Sequence, residues 1–571
     1  MKKFVVLTLF GLLILASTAS AQKLEFRASG MVDFNTVLNT NVPFYFGQVA
    51  LAHAVHGGIF NTWGTPGFDP LTGTPTNSLN HTTAYAYSRG LLRFDAIMDK
   101  NLSGTIYFEL DSFRWGGSPG WGRSGAANGV GQPGGILQQA SDRNNFGVWS
   151  TDRASVEVKN VYFDVGLPYF GLPVPMTVRV GAQPFGVRPQ IFMYTDGAGI
   201  TGGIKAGPVT IIPMWAKLDE GLDFASDDAD LYGLHMNAKL GTFTLGGYAM
   251  WFKMNTYPLS YASGSVLPGQ GAGTAFPATS SSYGLLTAGT DKASMWWLGL
   301  YADGKAGPVN LNFDFVYDTG RAEQKLRQTP VIAPDVIYNG WAGRIKLDFP
   351  WEKFNFGLVG MYASGADANK TSKGGLPGDS VANRFYGYNP AYPASRRVSS
   401  YVVPPGSENA PAANESIVMY SCFNASADGG TGIANVGNYA QMSRGAYGGT
   451  AFLKGYASIK AMPWWKITLQ GLYIWDTTKH GNTFGTAVKN PLAPYGSQIL
   501  KNDTDIGFEL DLVQELDIFK NLKGYIGLGY LWAGDALDVY NNAVLGASPF
   551  LGRNYSPKNP WNFTTRFIYS F

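Results

Sequence analysis

The stretch Leu24-Glu25-Phe26-Arg27-Ala28-Ser29-Gly30-Met31-Val32-Asp33-Phe34-Asn35 decides how the rest of the chain is read. Leu24, Phe26, Ala28, Gly30, Val32 and Phe34 fall on one face, with Glu25, Arg27, Ser29, Asp33 and Asn35 on the other. A period of two puts alternate side chains on opposite sides of an extended backbone, so this is a β-strand with one apolar and one polar face. The same alternation recurs near 84–98, 104–113, 154–165, 177–186, 199–205, 209–216, 230–240, 243–254, 292–304, 309–317, 338–349, 354–363, 447–461, 466–476, 505–515, 522–532 and 561–571. With 23–37 that makes eighteen segments.

The gaps between segments decide what the strands build. They run long, short, long, short throughout: 38–83 is long, 99–103 short, 114–153 long, and 364–446 is the longest. A soluble sandwich would join its strands by uniformly short turns. Antiparallel strands of about 10 residues, with short turns at one end and long loops at the other, are the pattern of a transmembrane barrel. The expectation is therefore an all-β, transmembrane antiparallel β-barrel of 18 strands, with 16 or 20 inside the boundary error. An even number brings both ends of the chain to the short-turn side. The segments 199–205 and 154–165 alternate least clearly. In the latter the phase slips near Asn160, which a β-bulge would explain.

Composition supports this reading. The 571 residues are 15% charged and include 73 glycines, against about 25% charged and about 7% glycine in ordinary globular chains. With 45% hydrophobic and 14% aromatic residues, disorder is excluded. Beyond the first two dozen residues no apolar run nears the roughly 20 residues of a membrane-spanning helix. A balance of 43 Lys+Arg against 40 Asp+Glu offers no basic face for nucleic acid. A single cysteine, Cys422, permits no intramolecular disulfide, thiolate metal site or haem attachment, so no cofactor is expected.

Lys2 and Lys3 precede an apolar run from Phe4 to Ala16 and the small residues Ala19-Ser20-Ala21. This is the layout of a secretory signal peptide cut after Ala21. Residues 1–21 are then a leader and 22–571 a single barrel domain, with 41 basic against 40 acidic residues once Lys2 and Lys3 are gone. Several short gaps carry turn chemistry: Ala206-Gly207-Pro208 and Ala306-Gly307-Pro308 are the same tripeptide, and Pro350-Trp351-Glu352-Lys353 and Pro463-Trp464-Trp465 are Pro-led turns with Trp. Tryptophan at this level suits an interfacial aromatic girdle.

The chain ends Trp561-Asn562-Phe563-Thr564-Thr565-Arg566-Phe567-Ile568-Tyr569-Ser570-Phe571, with Phe563, Thr565, Phe567, Tyr569 and Phe571 on one face. This ending resembles the terminal insertion signal of Gram-negative outer-membrane proteins. Arg89-Gly90-Leu91-Leu92-Arg93-Phe94-Asp95 and Asp228-Ala229-Asp230-Leu231-Tyr232-Gly233-Leu234 are similar to strand starts in the general porin superfamily. The resemblance covers the mature chain as architecture. It implies an integral protein of the cell outer membrane, inserted by the barrel-assembly machinery through Phe567, Tyr569 and Phe571. Outer-membrane lipid and lipopolysaccharide would surround it, as a monomer or a homotrimer.

Other motifs carry less. His53 and His56 are spaced for one helical face, but without a nearby carboxylate they read as a packed loop helix and not a metal site. Asp219, Glu220, Asp223, Asp227, Asp228 and Asp230 form an acidic loop whose spacing fits no compact calcium site. The remaining histidines, His81, His235 and His480, make no catalytic set.

The lumen holds the functional expectation. Charge facing lipid costs roughly 2–4 kcal/mol for Arg or Lys at mid-bilayer, so strand charges turn inward. Arg27, Arg89, Arg93 and Arg566 would gather on one wall, tempered by Glu25 and Asp33, with Asp303, Asp314 and Asp318 on the opposite wall, and Arg344, Lys346, Glu509 and Asp511 would also line the pore. Eighteen strands leave an aqueous channel, so the lumen is expected to be wet and narrowed only by loops. The candidate is 364–446, with Arg384, Arg396 and Arg397 beside Tyr386, Tyr388 and Tyr392. The function that follows is passive diffusion of small hydrophilic solutes or ions, without catalysis. The alternative is a sheath for a periplasmic multihaem cytochrome in an electron conduit.

Overall fold

The structure, a computed structural model, describes residues 24–40, 82–110, 156–167, 174–220, 228–255, 291–324, 336–365, 397–404, 415–420, 447–483, 499–541 and 558–571, with a few residues in the connections between them. The expected leader, His53, His56, His81, Cys422, Asp223, Asp227, Arg384 and Arg396 lie outside the described residues.

Among the described residues eighteen strands form the wall of one sheet, which also takes in the short segments Val336–Tyr338 and Arg397–Val398: β1 Glu25–Thr40, β2 Thr82–Asp99, β3 Leu102–Leu110, β4 Val156–Gly166, β5 Met176–Val187, β6 Met193–Ala206, β7 Val209–Asp219, β8 Ala229–Leu240, β9 Phe243–Met254, β10 Asp291–Ala306, β11 Val309–Gln324, β12 Trp341–Trp351, β13 Phe354–Ala363, β14 Thr450–Met462, β15 Trp465–Asp476, β16 Asp505–Phe519, β17 Leu522–Ala533 and β18 Trp561–Ser570. Each pairs antiparallel with the next, and β18 pairs with β1 from Met31↔Ser570 to Thr40↔Trp561. The wall closes on itself, so that along the paired spans each strand's backbone is satisfied by its neighbours. Phe571 completes the seam: its N–H donates to the Gly30 carbonyl at 3.0 Å and its carbonyl accepts from the Gly30 N–H at 2.9 Å.

The two faces differ as the alternation requires. Leu298, Leu300, Leu358, Leu453, Leu469 and Leu528 are exposed on the outside. Near the long-loop end the outer face carries Trp251 stacked on Trp296, with centroids 5.5 Å apart, and Trp341 stacked on Tyr362 at 4.7 Å. Near the short turns it carries Trp464 on Trp465 at 6.0 Å and Trp351 beside Phe354 at 6.2 Å. These are two aromatic belts flanking an apolar band. Gly207 and Gly307 adopt φ +60 and +59 in the two Ala-Gly-Pro turns, a left-handed conformation that glycine enters without steric cost.

Two local features depart from a plain barrel. In β4 the register jumps so that Asn160 faces Tyr107 and Val158 faces Phe108. Lys159 is the extra residue, and the phase slip near Asn160 is this bulge. The second departure breaks the expected alternation of gaps. β6 begins at Met193, not near 199, so only residues 188–192 join β5 to β6 at the long-loop end. The Gly-rich start of β6 has no alternation for a sequence reading to detect.

Candidate functional site in the lumen

The β5–β6 hairpin leaves the wall. β4 pairs with β5 only over Val161–Gly166, and β7 pairs with β6 no further up than Ala198. Beyond those points the hairpin turns inward. Phe185, Val187, Ile191, Phe192 and Met193 are buried, and Phe192 stacks on Tyr248 at 4.7 Å. Arg188, at φ +47, binds Asp303 of β10 through Nη1 at 2.6 Å and also Asp314 of β11. The back of the hairpin is held by β4: Lys159 reaches Asp196 at 3.0 Å and Glu109 at 2.9 Å, and Asn160 Nδ2 donates to Asp196 at 2.8 Å. The bulge thus re-aims a lysine where a regular strand would not.

The connection between β13 and β14 also enters the barrel. Val402 donates its N–H to Asp318 Oδ2 at 3.1 Å, Trp297 Nε1 donates to the Val402 carbonyl at 2.8 Å, and Tyr401 Oη donates to the Ile191 carbonyl at 2.6 Å. Further along, Glu415–Tyr420 lies against the other side. Glu509 accepts N–H bonds from Ile417 at 3.0 Å, Val418 at 2.6 Å and Met419 at 2.9 Å, and Asp511 accepts from Ile417 at 3.2 Å. Asn562 Nδ2 donates to the Ile417 carbonyl at 2.9 Å. Gly529 of β17 makes room, since a Cβ there would come within 2.6 Å of the Ile417 side chain.

Glu415 ties this strap to both the wall and the hairpin. Arg344 of β12 donates to Oε1 from Nε at 2.9 Å, Lys454 of β14 meets Oε2, and Gln190 of the hairpin donates to Oε1 at 2.7 Å. Burial alone would lift this carboxyl, but Lys454 and Arg344 outweigh it and hold its pKa down at about 2. The anion stays charged because two cations share it.

Hairpin and strap are joined by an apolar core inside the barrel. Met250, Phe252, Met295, Trp297, Val359, Met361, Leu472 and Ile474 of the wall are buried with Tyr401, Val418, Met419 and Tyr420 of the strap. The sequence reading expects a wet interior throughout, and the long-loop half over β8–β17 is instead packed with the chain's own side chains. Alternation alone cannot distinguish these walls, because a lumen face of Met and Phe has the same period as a polar one.

The opposite wall is polar and its charges are matched locally. Arg566 binds Asp33 at 2.6 Å, Arg93 binds Asp95 at 3.0 Å, Arg89 binds Glu109, and Arg179 binds Asp164 at 2.8 Å while lying 4.1 Å over the Tyr162 ring. The arginines do lie on β18, β1 and β2 and Asp303, Asp314 and Asp318 on β10 and β11, but charges on both walls are paired where they stand. Arg566, Arg89 and Arg93 each meet a carboxylate, and Asp303 and Asp314 meet Arg188. Arg27 lies at the short-turn end of β1, 62% exposed and paired with Glu25 at 2.7 Å. Asp318, Glu509, Asp511 and Arg344 face inward but hold the strap and are fully or nearly buried. Lys346 pairs with Asp348 at 3.2 Å. Of the loop arginines, only the backbone of Arg397 is described, paired in parallel with Ile337.

Sequence reasoning missed Lys159, Arg179, Arg188, Glu415 and Lys454. One signal was present for the strap: Glu509 and Asp511 share a strand face that brings them no cation, so two buried carboxylates require donors from elsewhere. In the acidic loop, Lys217 already sits 2.8 Å from Glu220 and 3.0 Å from Asp228. Among the described residues no group of acids, histidines or cysteines is arranged for a metal.

No protein-family model matches the chain, and no curated protein matches it in sequence. Solved structures align along most of its length at low identity. Pseudomonas aeruginosa OccK8 (OprE) is 8% identical, with 96% of this chain and 98% of that chain covered and a TM-score of 0.45. P. aeruginosa OpdL is 9% identical, with 96% and 99% covered and a TM-score of 0.41. P. aeruginosa OccK11 (OpdR) is 8% identical, with 95% and 96% covered and a TM-score of 0.41.

Proposed function

We propose that the chain is an outer-membrane porin, a channel for passive diffusion of small hydrophilic solutes. The observation that carries this reading is one closed wall of 18 strands with an apolar, aromatic-belted exterior and a charged inner face over β18 and β1–β5. Lipid accounts for the outside, and only water or a polar solute suits that charged inner face. Passage would run along that polar wall, because the strap and hairpin occupy the space beside β8–β17. Residues 1–21 would direct export and be removed, and Phe567, Tyr569 and Phe571 would serve as the insertion signal. The reading assigns transport and no catalysis. The cytochrome-sheath alternative finds no support, since the chain's own strap fills space that a second protein would need.

Single-channel recording of the purified, refolded barrel in a planar bilayer tests it. Discrete ohmic steps are expected. A correctly folded barrel that inserts but passes no ions would overturn the proposal.

A further inference from the structure

Below the strap, between the roof formed by Glu415 and Gln190 and the short-turn end, lies a cavity of about 520 Å³ bounded by β12–β18. Its volume falls within the roughly 300–1,000 Å³ of small-molecule sites. Resting on the channel reading, we propose that this cavity binds neutral polyhydroxylated solutes, of the class of small sugars, on their way through the barrel.

Each charge on the cavity wall is already engaged by an internal partner, which argues for a neutral solute. Lys346 is matched by Asp348 at 3.2 Å and Lys466 by Glu515 at 2.6 Å. At the roof Arg344 and Lys454 share Glu415, which leaves one positive charge over, on side chains only 7% and 6% exposed, and Arg566, also on the lining, holds Asp33 at 2.6 Å. An anion or cation entering would find its counter-charge already engaged, and would have to displace an internal partner to gain a contact. A hydroxyl does not. Lys466 and Glu515 keep 44% and 41% of their side-chain surface open. An ammonium has three donors and a carboxylate about four acceptor sites, so a pair in contact still has capacity for a solute hydroxyl. Hydrogen bonds to charged groups are the stronger kind.

The neutral lining fits the same class. Thr468 and Tyr525 add hydroxyl groups between the ion pairs. Tyr456 lies over the bare backbone of Gly357 and donates its hydroxyl to Asp348, which fixes the ring as part of the wall. A fixed ring among hydroxyl, amide and paired-charge groups offers an apolar surface to the C–H face of a sugar ring.

The test uses the purified full-length barrel, with sucrose as the neutral probe and gluconate as the anionic one. Equilibrium dialysis of the detergent-solubilised protein should show saturable sucrose binding, and sucrose added at the short-turn side of a bilayer should reduce the ion current saturably. In a Thr468→Val, Tyr525→Phe double variant the half-saturating sucrose concentration should rise about tenfold, as for the loss of two hydrogen bonds. Gluconate binding tighter than sucrose, no saturable sucrose binding, or a double variant equal to wild type would each overturn the site. Absence of ion current with sucrose binding intact would sink the channel reading and leave the site standing.

Discussion

Arg344 on β12 grips Glu415 in the strap from two guanidinium nitrogens, at 2.9 and 2.7 Å, although the two residues are 71 positions apart. Lys454 holds the other carboxylate oxygen, so one buried anion joins two strands to a segment crossing the lumen. Glu415→Gln should leave two buried cations without a counter-charge and release the strap. Breaking a buried pair from one side typically costs about 3–5 kcal/mol. The heat-modifiability midpoint on gels should fall, and the channel should become noisier and more conductive. A variant with wild-type midpoint and conductance would show that the strap is held elsewhere.

The same carboxyl gives a pH expectation. Its pKa in the folded protein is depressed from the usual 4.5 to about 2. A depressed acid contributes stability that is present above its unfolded pKa and is lost as pH falls through the folded one. The Glu415 attachment should therefore hold unchanged from neutral pH to about 5, weaken below that, and be lost near 2. Conductance recorded stepwise from pH 7 to pH 3 should rise only toward the acid end. A rise already complete at pH 6 would assign the latch to another group.

At the seam, Gly30 sits where a Cβ would lie 2.6 Å from the Leu91 carbonyl oxygen and 2.7 Å from the Phe571 ring. Gly30→Val should push Phe571 off the seam, and deleting Phe571 should remove the same two backbone hydrogen bonds. Both changes should lower the folded, heat-modifiable fraction in the outer membrane without reducing export. Normal surface levels of both variants would remove the seam from the account of assembly.

The strands were legible from the sequence because lipid imposes a rule on every second residue. Phe243–Met254 and Phe354–Ala363 could be bounded to the residue from alternation alone. The inward segments were not legible, because nothing local marks them. The sequence places a constriction somewhere in 364–446, whereas Glu415 becomes its anchor only through Arg344 and Lys454, supplied by distant strands. The hairpin tip Arg188–Phe192 was hidden for a related reason: Ile191 and Phe192 look like strand residues, and only the end of pairing with β4 and β7 sends them inward. Lys159 stood at the phase slip that the sequence did show, but its partners Glu109 and Asp196 required the fold.

Local charge matching sets the expectation for ion selectivity. With Arg93 on Asp95, Arg89 on Glu109 and Arg566 on Asp33, little net field remains across the polar wall, and salt screens it within about 8 Å. The wild type should discriminate weakly between potassium and chloride. Neutralising Arg27, Arg89 and Arg93 together should free Glu25 and Asp95 and shift the reversal potential toward cations. Glu109 should contribute less, since Lys159 still meets it at 2.9 Å. A reversal potential unmoved by the triple change would take these arginines off the conducting path.

Unitary conductance of a barrel in which Glu415–Tyr420 is replaced by an equal length of Gly and Ser measures the strap directly. The wall strands keep their pairing in such a variant, and Gly and Ser still carry backbone N–H groups for Glu509 and Asp511, while the Tyr420 contact to Thr450 at 2.9 Å, the apolar side chains and the clasp of Arg344 and Lys454 are removed together. The expected result is a clear rise in unitary conductance over the wild-type channel recorded in the same salt. An unchanged conductance from a correctly folded variant would contradict a polar conduit narrowed by the inward strap.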